Sequence, residues 1–576
     1  MEIYYKKNNN NELFDKITSN KLLDLENIQN YIPIYNVFFD LNENNYNSIN
    51  LNNSNNLYDL TEKINYSKFK GKIKDINNNI VEKSIFFKYS PLIDPIKYMI
   101  GKYESSYNIF QIPKIINYQN IPDKFLNTNN SAYVDAIFSF LSSILLNKYN
   151  FYNGIDYYGS FIGIKNNFIV DIEEDIDYLN DSDFFHKNYN KNFILEKNTN
   201  KNKIFLNNTK KNKQPITIND INNLNSDLNI DIHEIISNEN ISSKNLSHEK
   251  NFDTLTDINL EYHNTNIDKN KLNKTNNISN TSCSSRYSNT NSNSNNIDNE
   301  CSSDDDSDNS VSSSDSEINI NINKFPVNII SLECCENTLD NYIINNKIKD
   351  EEWESIILQI LLTLITYQEV FEMTHNDLHT NNIVYINTDK KYLYYKYLNK
   401  HYKVPTFGKI YKIIDFGRAI YKVDNNVFCS DSYASDGDAN SQYNCEPFLN
   451  INKPIIKPNY SFDLCRLGCS LFDYFIDDLD NIKKLKSPIK KIIIKWIFDD
   501  NNKNILYKNN GDERYPDFKL YKMIARTVHN HLPKEVIKNT LFDKYVLAKK
   551  KINNNAIIIN IDSMMSINNT INNNNI

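Results

Sequence analysis

The chain has 576 residues, room for about two to four domains, and 40% of them are apolar, enough for a sizeable core. A net charge of −8 argues against a general grip on nucleic acid, whose phosphates call for a basic surface. The first ten residues, MEIYYKKNNN, lack the apolar run of a secretory signal. The longest apolar helical segment, residues 355–367, is broken by Gln359 and Thr363 and is too short to cross a bilayer.

In chain order, residues 1–70 mix short apolar runs with Asn-rich breaks and read as an N-terminal extension leading into a small sheet. Residues 84–89, SIFFKY, predict a strand with Lys88 near its end, entered through a hairpin turn at Asn77-Asn78-Asn79. Residues 131–147 place apolar side chains at 134, 137, 138, 141 and 145, a helical spacing. Residues 157–164 and 168–172 then read as two strands around Lys165-Asn166-Asn167. From 179 to 324 the pattern dissolves into Asn, Ser, Lys and Asp, with an acidic serine run at 300–317. Such a composition buries too little apolar surface to offset the entropy of ordering, so a long disordered insertion is expected there.

Order resumes with VNIISLE at 327–333, a buried strand that runs into the polar turn CCENTLDNYI. Residues 350–371 are the clearest helix: Asp350 reads as its N-cap, acids fill the first turn, and Trp353, Ile357, Leu361, Leu364 and Phe371 form one apolar stripe. That helix delivers the chain to THNDLHTNNIVY, residues 374–385. Alternation around Asn399-Lys400 suggests a hairpin before IIDFGRA, residues 413–419. SFDLCRLGCSLFDYF, residues 461–475, predicts an apolar helix with Asp463 in its first turn. Further helices run to about 550, and 551–576 is an Ile/Asn low-complexity tail. Eight cysteines without a C-x-x-C pair or a Cys/His zinc spacing read as reduced thiols, with Cys465 and Cys469 in the core.

Two of these stretches carry chemistry. His375, Asp377, Leu378 and Asn382 fall on an H-x-D-L-x-x-x-N spacing, and Asp415-Phe416-Gly417 closes a short apolar strand. With both motifs in this order, the chain resembles the eukaryotic-type protein kinase superfamily over about residues 70–545, the insertion apart. It is most similar to divergent Ser/Thr kinases encoded by large DNA viruses. The D-L-H form of the loop and the hairpin before IID are also similar to haspin kinases.

The resemblance implies a two-lobed α+β protein-kinase-like fold. Its small β-rich N-lobe would lie in 71–178, and the last N-lobe strand, the hinge and a larger helical C-lobe in 325–550. It implies Asp377 as catalytic base, His375 as the histidine bracing its loop, and Asn382 and Asp415 as hard oxygen ligands of Mg²⁺. Lys88 would hold the inner phosphates of ATP, with Asp135 as its acidic partner; on the residues alone, a strand-end lysine and a surface aspartate are the alternatives. Glu333 and Cys335 would offer backbone groups to adenine, their side chains mattering little, with Leu332 at the gatekeeper place. Asp463 would fasten the catalytic loop from below.

Three departures stand out. No G-x-G-x-x-G precedes Lys88, where Gly71 is the only nearby glycine. His379 replaces the usual lysine two residues after the base and, partly charged, should help the transferring phosphate less. Asn376 replaces the arginine before the base, which implies activity without phosphorylation of the activation segment. The implied function is ATP- and Mg²⁺-dependent phosphoryl transfer to Ser or Thr of a protein substrate. A cytoplasmic monomer is expected (in the host cell or virion, for a viral chain), with neither nucleic acid nor membrane as partner. The alternatives are a small-molecule phosphotransferase, since H-x-D-L-H also occurs in aminoglycoside- and choline-kinase-like folds, and a pseudokinase scaffold.

Overall fold

The alternation of SIFFKY survives folding: Ile85, Phe87 and Tyr89 are buried on one face of the Ile80–Pro91 strand, and Lys88 lies on the other. That strand belongs to a computed structural model that describes residues 3–103, 105–115, 120–196, 318–552 and 555–564 and has a mixed α+β architecture. Its main sheet has seven strands. In spatial order they are Leu25–Gln29, Tyr157–Asp171, Asn319–Glu333, Ile80–Pro91, Lys68–Asp75 and Asn55–Lys63, with Phe193–Leu195 paired to the outer part of Asn319–Glu333. Every pairing in it is antiparallel. The register sets Lys88 beside Ile330 and Ile85 beside Glu333.

Several expectations need correction here. The N-terminal stretch is no separate extension, because Leu25–Gln29 and Asn55–Lys63 are strands of the main sheet. Tyr157–Asp171 is one strand, not two; Asn167 takes a left-handed φ of 54° within it, which lets the ladder continue past the Asn-rich kink. The expected insertion is entered later and left earlier. Helices Ile176–Asn180 and Asp183–Asn188 and strand Phe193–Leu195 precede it, and Asn319–Glu333 follows it. Residues 197–317, including the acidic serine run, lie outside the described residues.

Two helices among those described pack against the sheet: Asn11–Asn20, whose Phe14 ring lies 5.5 Å from that of Phe161, and Ser131–Tyr149, with side chains from Ala132 to Leu145 buried and its N-terminus capped by Asn130, whose Oδ1 accepts from the Ala132 N–H at 3.0 Å. Asp350–Phe371 runs through the helical part of the molecule. It is buried around its circumference rather than along one stripe, as Ile356, Ile360, Ile365 and Thr366 show. Its N-cap is Lys349, so Asp350 is the first helical residue and its charge faces the helix dipole instead of bonding an N–H. By length and composition this helix could cross a membrane, but 94% of its apolar window is buried inside the molecule. Phe462–Phe475, Pro488–Lys495 and Lys519–Thr527 share a second core, in which both Cys465 and Cys469 are buried.

The predicted hairpin forms from Tyr392–Tyr397 and Lys400–Pro405. Part of the supposed low-complexity tail completes it: Ile558–Asn560 adds a parallel strand to Tyr392–Tyr397, and Ile559, Ile561 and Met564 are buried.

Candidate active site

Three charged side chains from distant parts of the chain meet between the sheet and the helical part. Lys88 Nζ lies 2.6 Å from Asp135 Oδ2 and 2.7 Å from Asp415 Oδ1. The strand aims the ammonium away from the Phe87 face, and the Ser131–Tyr149 helix presents Asp135 from its first turns. Asp415 follows the Lys409–Ile413 strand in a left-handed conformation, φ 67°, which turns its carboxylate back toward Lys88. The other oxygen of Asp135 accepts from the Phe416 N–H at 2.9 Å, so the helix holds the turn as well as the ammonium. Burial alone would depress the Lys88 pKa, but the two carboxylates outweigh it and hold the pKa above the ordinary lysine value. Lys88 is therefore no exposed strand-end lysine, nor Asp135 a surface aspartate.

The loop around Asp377 is gripped from one helix. The carboxylate of Asp463 accepts from the His375 N–H at 3.0 Å and from the Asn376 N–H at 2.8 Å. His375 Nδ1 accepts from the Asp377 N–H at 3.3 Å, which leaves the ring proton on Nε2 to be donated to the Ile414 carbonyl at 2.9 Å. The imidazole thus ties the loop to the residue before Asp415.

Asn376 sits at φ 64°, accepts from the Tyr443 hydroxyl at 2.7 Å and donates to the Arg418 carbonyl at 3.0 Å. Where the sequence lacks an arginine, a neutral hydrogen-bonded staple joins three segments.

Asn382 donates through Nδ2 to the Asp377 carbonyl at 2.9 Å, and its own carbonyl accepts from the Ile414 N–H at 3.0 Å. Its Oδ1 is buried with no hydrogen-bond partner. An orphaned amide oxygen costs about 1–3 kcal/mol and marks a position suited to a hard cation. His379 departs from expectation. It is 3% exposed, burial lowers its pKa to about 4, and its Nε2 lies 3.1 Å from Asn382 Nδ2. It is neutral at neutral pH and occupied with Asn382, so it brings no charge to a phosphate. Asp377 and Asp415 both lie within electrostatic reach of the imidazole.

Glu333 is corrected too, because its side chain does matter. Its carboxylate accepts from the Asp156 N–H at 2.8 Å and pairs with Lys412 Nζ, which also donates to the Gly154 carbonyl at 2.8 Å. Cys335 is half-buried two residues on. A cavity of about 330 Å³ opens beside Lys88, Asp135 and Asp415 and extends toward Arg418 and Ser432. Glu333, Cys335, Asp377 and Asn382 do not line it.

Sequence reasoning missed Arg466, Tyr521, Lys412 and Asp431. Arg466 had a signal, since it lies three residues after Asp463 on the same helix face. Tyr521, 144 positions from its partner Asp377, had none.

Among the described residues, no group of three or more His, Cys, Asp or Glu side chains converges as a metal cage. One carboxylate and one amide suffice for a Mg²⁺ that takes its remaining ligands from phosphates and water. The chain matches no protein-family model and no curated protein.

Proposed function

We propose that the chain is an ATP- and Mg²⁺-dependent phosphotransferase of the protein-kinase type, acting on Ser or Thr of a protein substrate, with two lobes around the site. The observation that carries this reading is the ion triad of Lys88, Asp135 and Asp415, drawn from segments up to 327 residues apart, beside a loop holding Asp377 and Asn382. The antiparallel sheet with the Ser131–Tyr149 helix packed on it, followed by a mainly helical part, supports the lobe arrangement.

Asn382 Oδ1 and the Asp415 carboxylate fit a Mg²⁺ ion, the first because it is buried and unsatisfied, the second because its turn aims it at Lys88. When bound, Mg²⁺ neutralises charge on the phosphates. Lys88, kept cationic by its two carboxylates, would hold the inner phosphates. The backbone between Glu333 and Cys335 would face adenine. Asp377 would take the proton of the acceptor hydroxyl as its oxygen bonds to the γ-phosphorus and the bond to the ADP oxygen breaks. The triad and the buried loop position these groups before substrate arrives, the condition for electrostatic catalysis.

The test is phosphate transfer from Mg-ATP to generic protein acceptors. Wild type is expected to transfer, and Asp377→Ala to lose about 10²–10⁴-fold in rate, the worth of a general base. Equal rates in the two proteins would refute the role of Asp377. Transfer to small alcohols but never to protein would favour a small-molecule phosphotransferase. Mg²⁺-dependent stabilisation by nucleotide, with no transfer to any acceptor, would leave a binding scaffold.

A further inference from the structure

Beneath Asp377 lies a tyrosine that takes no part in the transfer step itself. Tyr521, from the Lys519–Thr527 helix, is 1% exposed, and its hydroxyl donates to Asp377 Oδ1 at 2.7 Å. The same hydroxyl accepts from Arg466 Nε at 2.9 Å. Two guanidinium groups lie near its ring, with Arg418 Cζ 5.6 Å and Arg466 Cζ 5.2 Å from the centroid. Phe518 stacks beside it at 5.4 Å.

These contacts give the hydroxyl a direction. A guanidinium has only donors, so Arg466 occupies a lone pair of the tyrosine oxygen and the hydroxyl proton is left for the carboxylate. The two cation–π contacts and the Phe518 stack hold the ring against rotation. One helix thereby controls the whole loop. Asp463 grips the backbone of His375 and Asn376, and Arg466, one turn further along, reaches the side chain of Asp377 through Tyr521.

We propose that Tyr521, backed by Arg466, is a positioning residue that fixes the rotation of the Asp377 carboxylate. The proposal rests on the reading of Asp377 as the base. His379 is not available for that task, because its Nε2 is engaged 3.1 Å from Asn382 Nδ2. Arg418 also feels the charge of Asp377, but its Nη2 is held by Asp438 Oδ2 at 2.7 Å. A carboxylate free to turn about its Cβ–Cγ bond meets an acceptor hydroxyl in few of its orientations, whereas one pinned at Oδ1 meets it in one. The opposite role, a tyrosine hydroxyl occupying the acceptor's place, is disfavoured by burial. Tyr521 belongs to the core shared with Phe462 and Leu520 and is held by Arg466 from the scaffold helix.

The experiment compares Tyr521→Phe and Arg466→Lys with wild type in Mg-ATP transfer, alongside thermal melting with and without Mg-nucleotide. Tyr521→Phe keeps the ring and removes the hydroxyl. Its kcat is expected to fall about tenfold or more, the worth of a hydrogen bond to a charged acceptor, while KM for ATP stays within roughly twofold. The nucleotide-induced rise in melting temperature should persist. Arg466→Lys keeps the charge but not the Nε donor and should also lower kcat at unchanged KM; it decides the matter alone should Tyr521→Phe fail to fold. Wild-type kcat in both variants would overturn the proposal, and a kcat above wild type would assign the hydroxyl an occluding role and overturn it equally. Failure of wild type itself to transfer phosphate would sink the kinase reading and this proposal with it. A transferring wild type with indifferent variants sinks the proposal alone.

Discussion

Lys165 shows at the residue scale how burial sets a charge against its surroundings. Its side chain is 1% exposed, lies 5.1 Å from the rings of both Tyr66 and Tyr89, and donates to the Asn166 carbonyl at 2.8 Å. Burial pulls its pKa down from 10.5 to about 8. Between those two values the unfolded chain binds the proton that the folded chain has lost, so this group makes stability rise with pH across that window. In urea titrations, wild type should gain on Lys165→Met from pH 8 to 10.5 by up to about 1.4 kcal/mol per pH unit. A pH-independent difference would contradict the assignment. Lys88 is the opposite case, a buried ammonium satisfied by two carboxylates. Lys88→Ala removes the ammonium that both carboxylates share and should destabilise the fold by about 3–5 kcal/mol, measured by chemical unfolding.

Among elements, the segment after Gly417 and the Ser131–Tyr149 helix are joined without a phosphate. Asp431 accepts through Oδ1 from the Ser131 N–H at 3.0 Å and pairs through Oδ2 with Lys124 Nζ at 2.9 Å. Its own N–H donates to the Asn129 carbonyl at 2.7 Å. A carboxylate at a helix N-terminus is favoured by the helix dipole, and here it also sets the helix that carries Asp135. Asp431→Ala should lower transfer about tenfold and stability by about 2 kcal/mol, since it removes the acceptor of the Ser131 N–H at the helix start and strands a half-buried lysine. Phosphatase treatment should leave wild-type transfer unchanged, and loss of activity on that treatment would contradict a phosphate-free join.

The turn between Asn55–Lys63 and Lys68–Asp75 is equally distinctive. Asn65 Oδ1 accepts from the Ser67 and Lys68 N–H groups, and the Tyr66 hydroxyl accepts from the Ile169 N–H at 3.2 Å.

For the molecule as a whole, closure depends on ties between its parts that no local pattern announces. Lys412, 1% exposed at its side chain, bonds both Glu333 and the Gly154 carbonyl, and so joins the Lys409–Ile413 strand to the end of Asn319–Glu333. The C-terminal Ile558–Asn560 strand covers the hairpin, and Asp562 accepts from the Leu398 N–H at 2.7 Å. Ending the chain after residue 552 exposes the surface that Ile559, Ile561 and Met564 cover. It should cost about 3 kcal/mol or more, seen as a lower melting temperature, at about 25 cal/mol per Å² uncovered.

What the sequence alone determined were features with a short physical period or a fixed spacing. The alternation around Lys88, the helices at 131–147, 350–371 and 461–475, the hairpin at Asn399-Lys400 and the loop bearing Asp377 and Asn382 were all legible, because neighbours along the chain set them. Tertiary structure decided the rest. It joined two supposed strands across Asn167, drew the N-terminal strands and an Asn-rich tail into sheets, neutralised His379 by burial and set Tyr521 under Asp377. Each of these depends on the environment that distant segments create, through desolvation, pairing and packing, and that environment exists only once the chain has closed on itself.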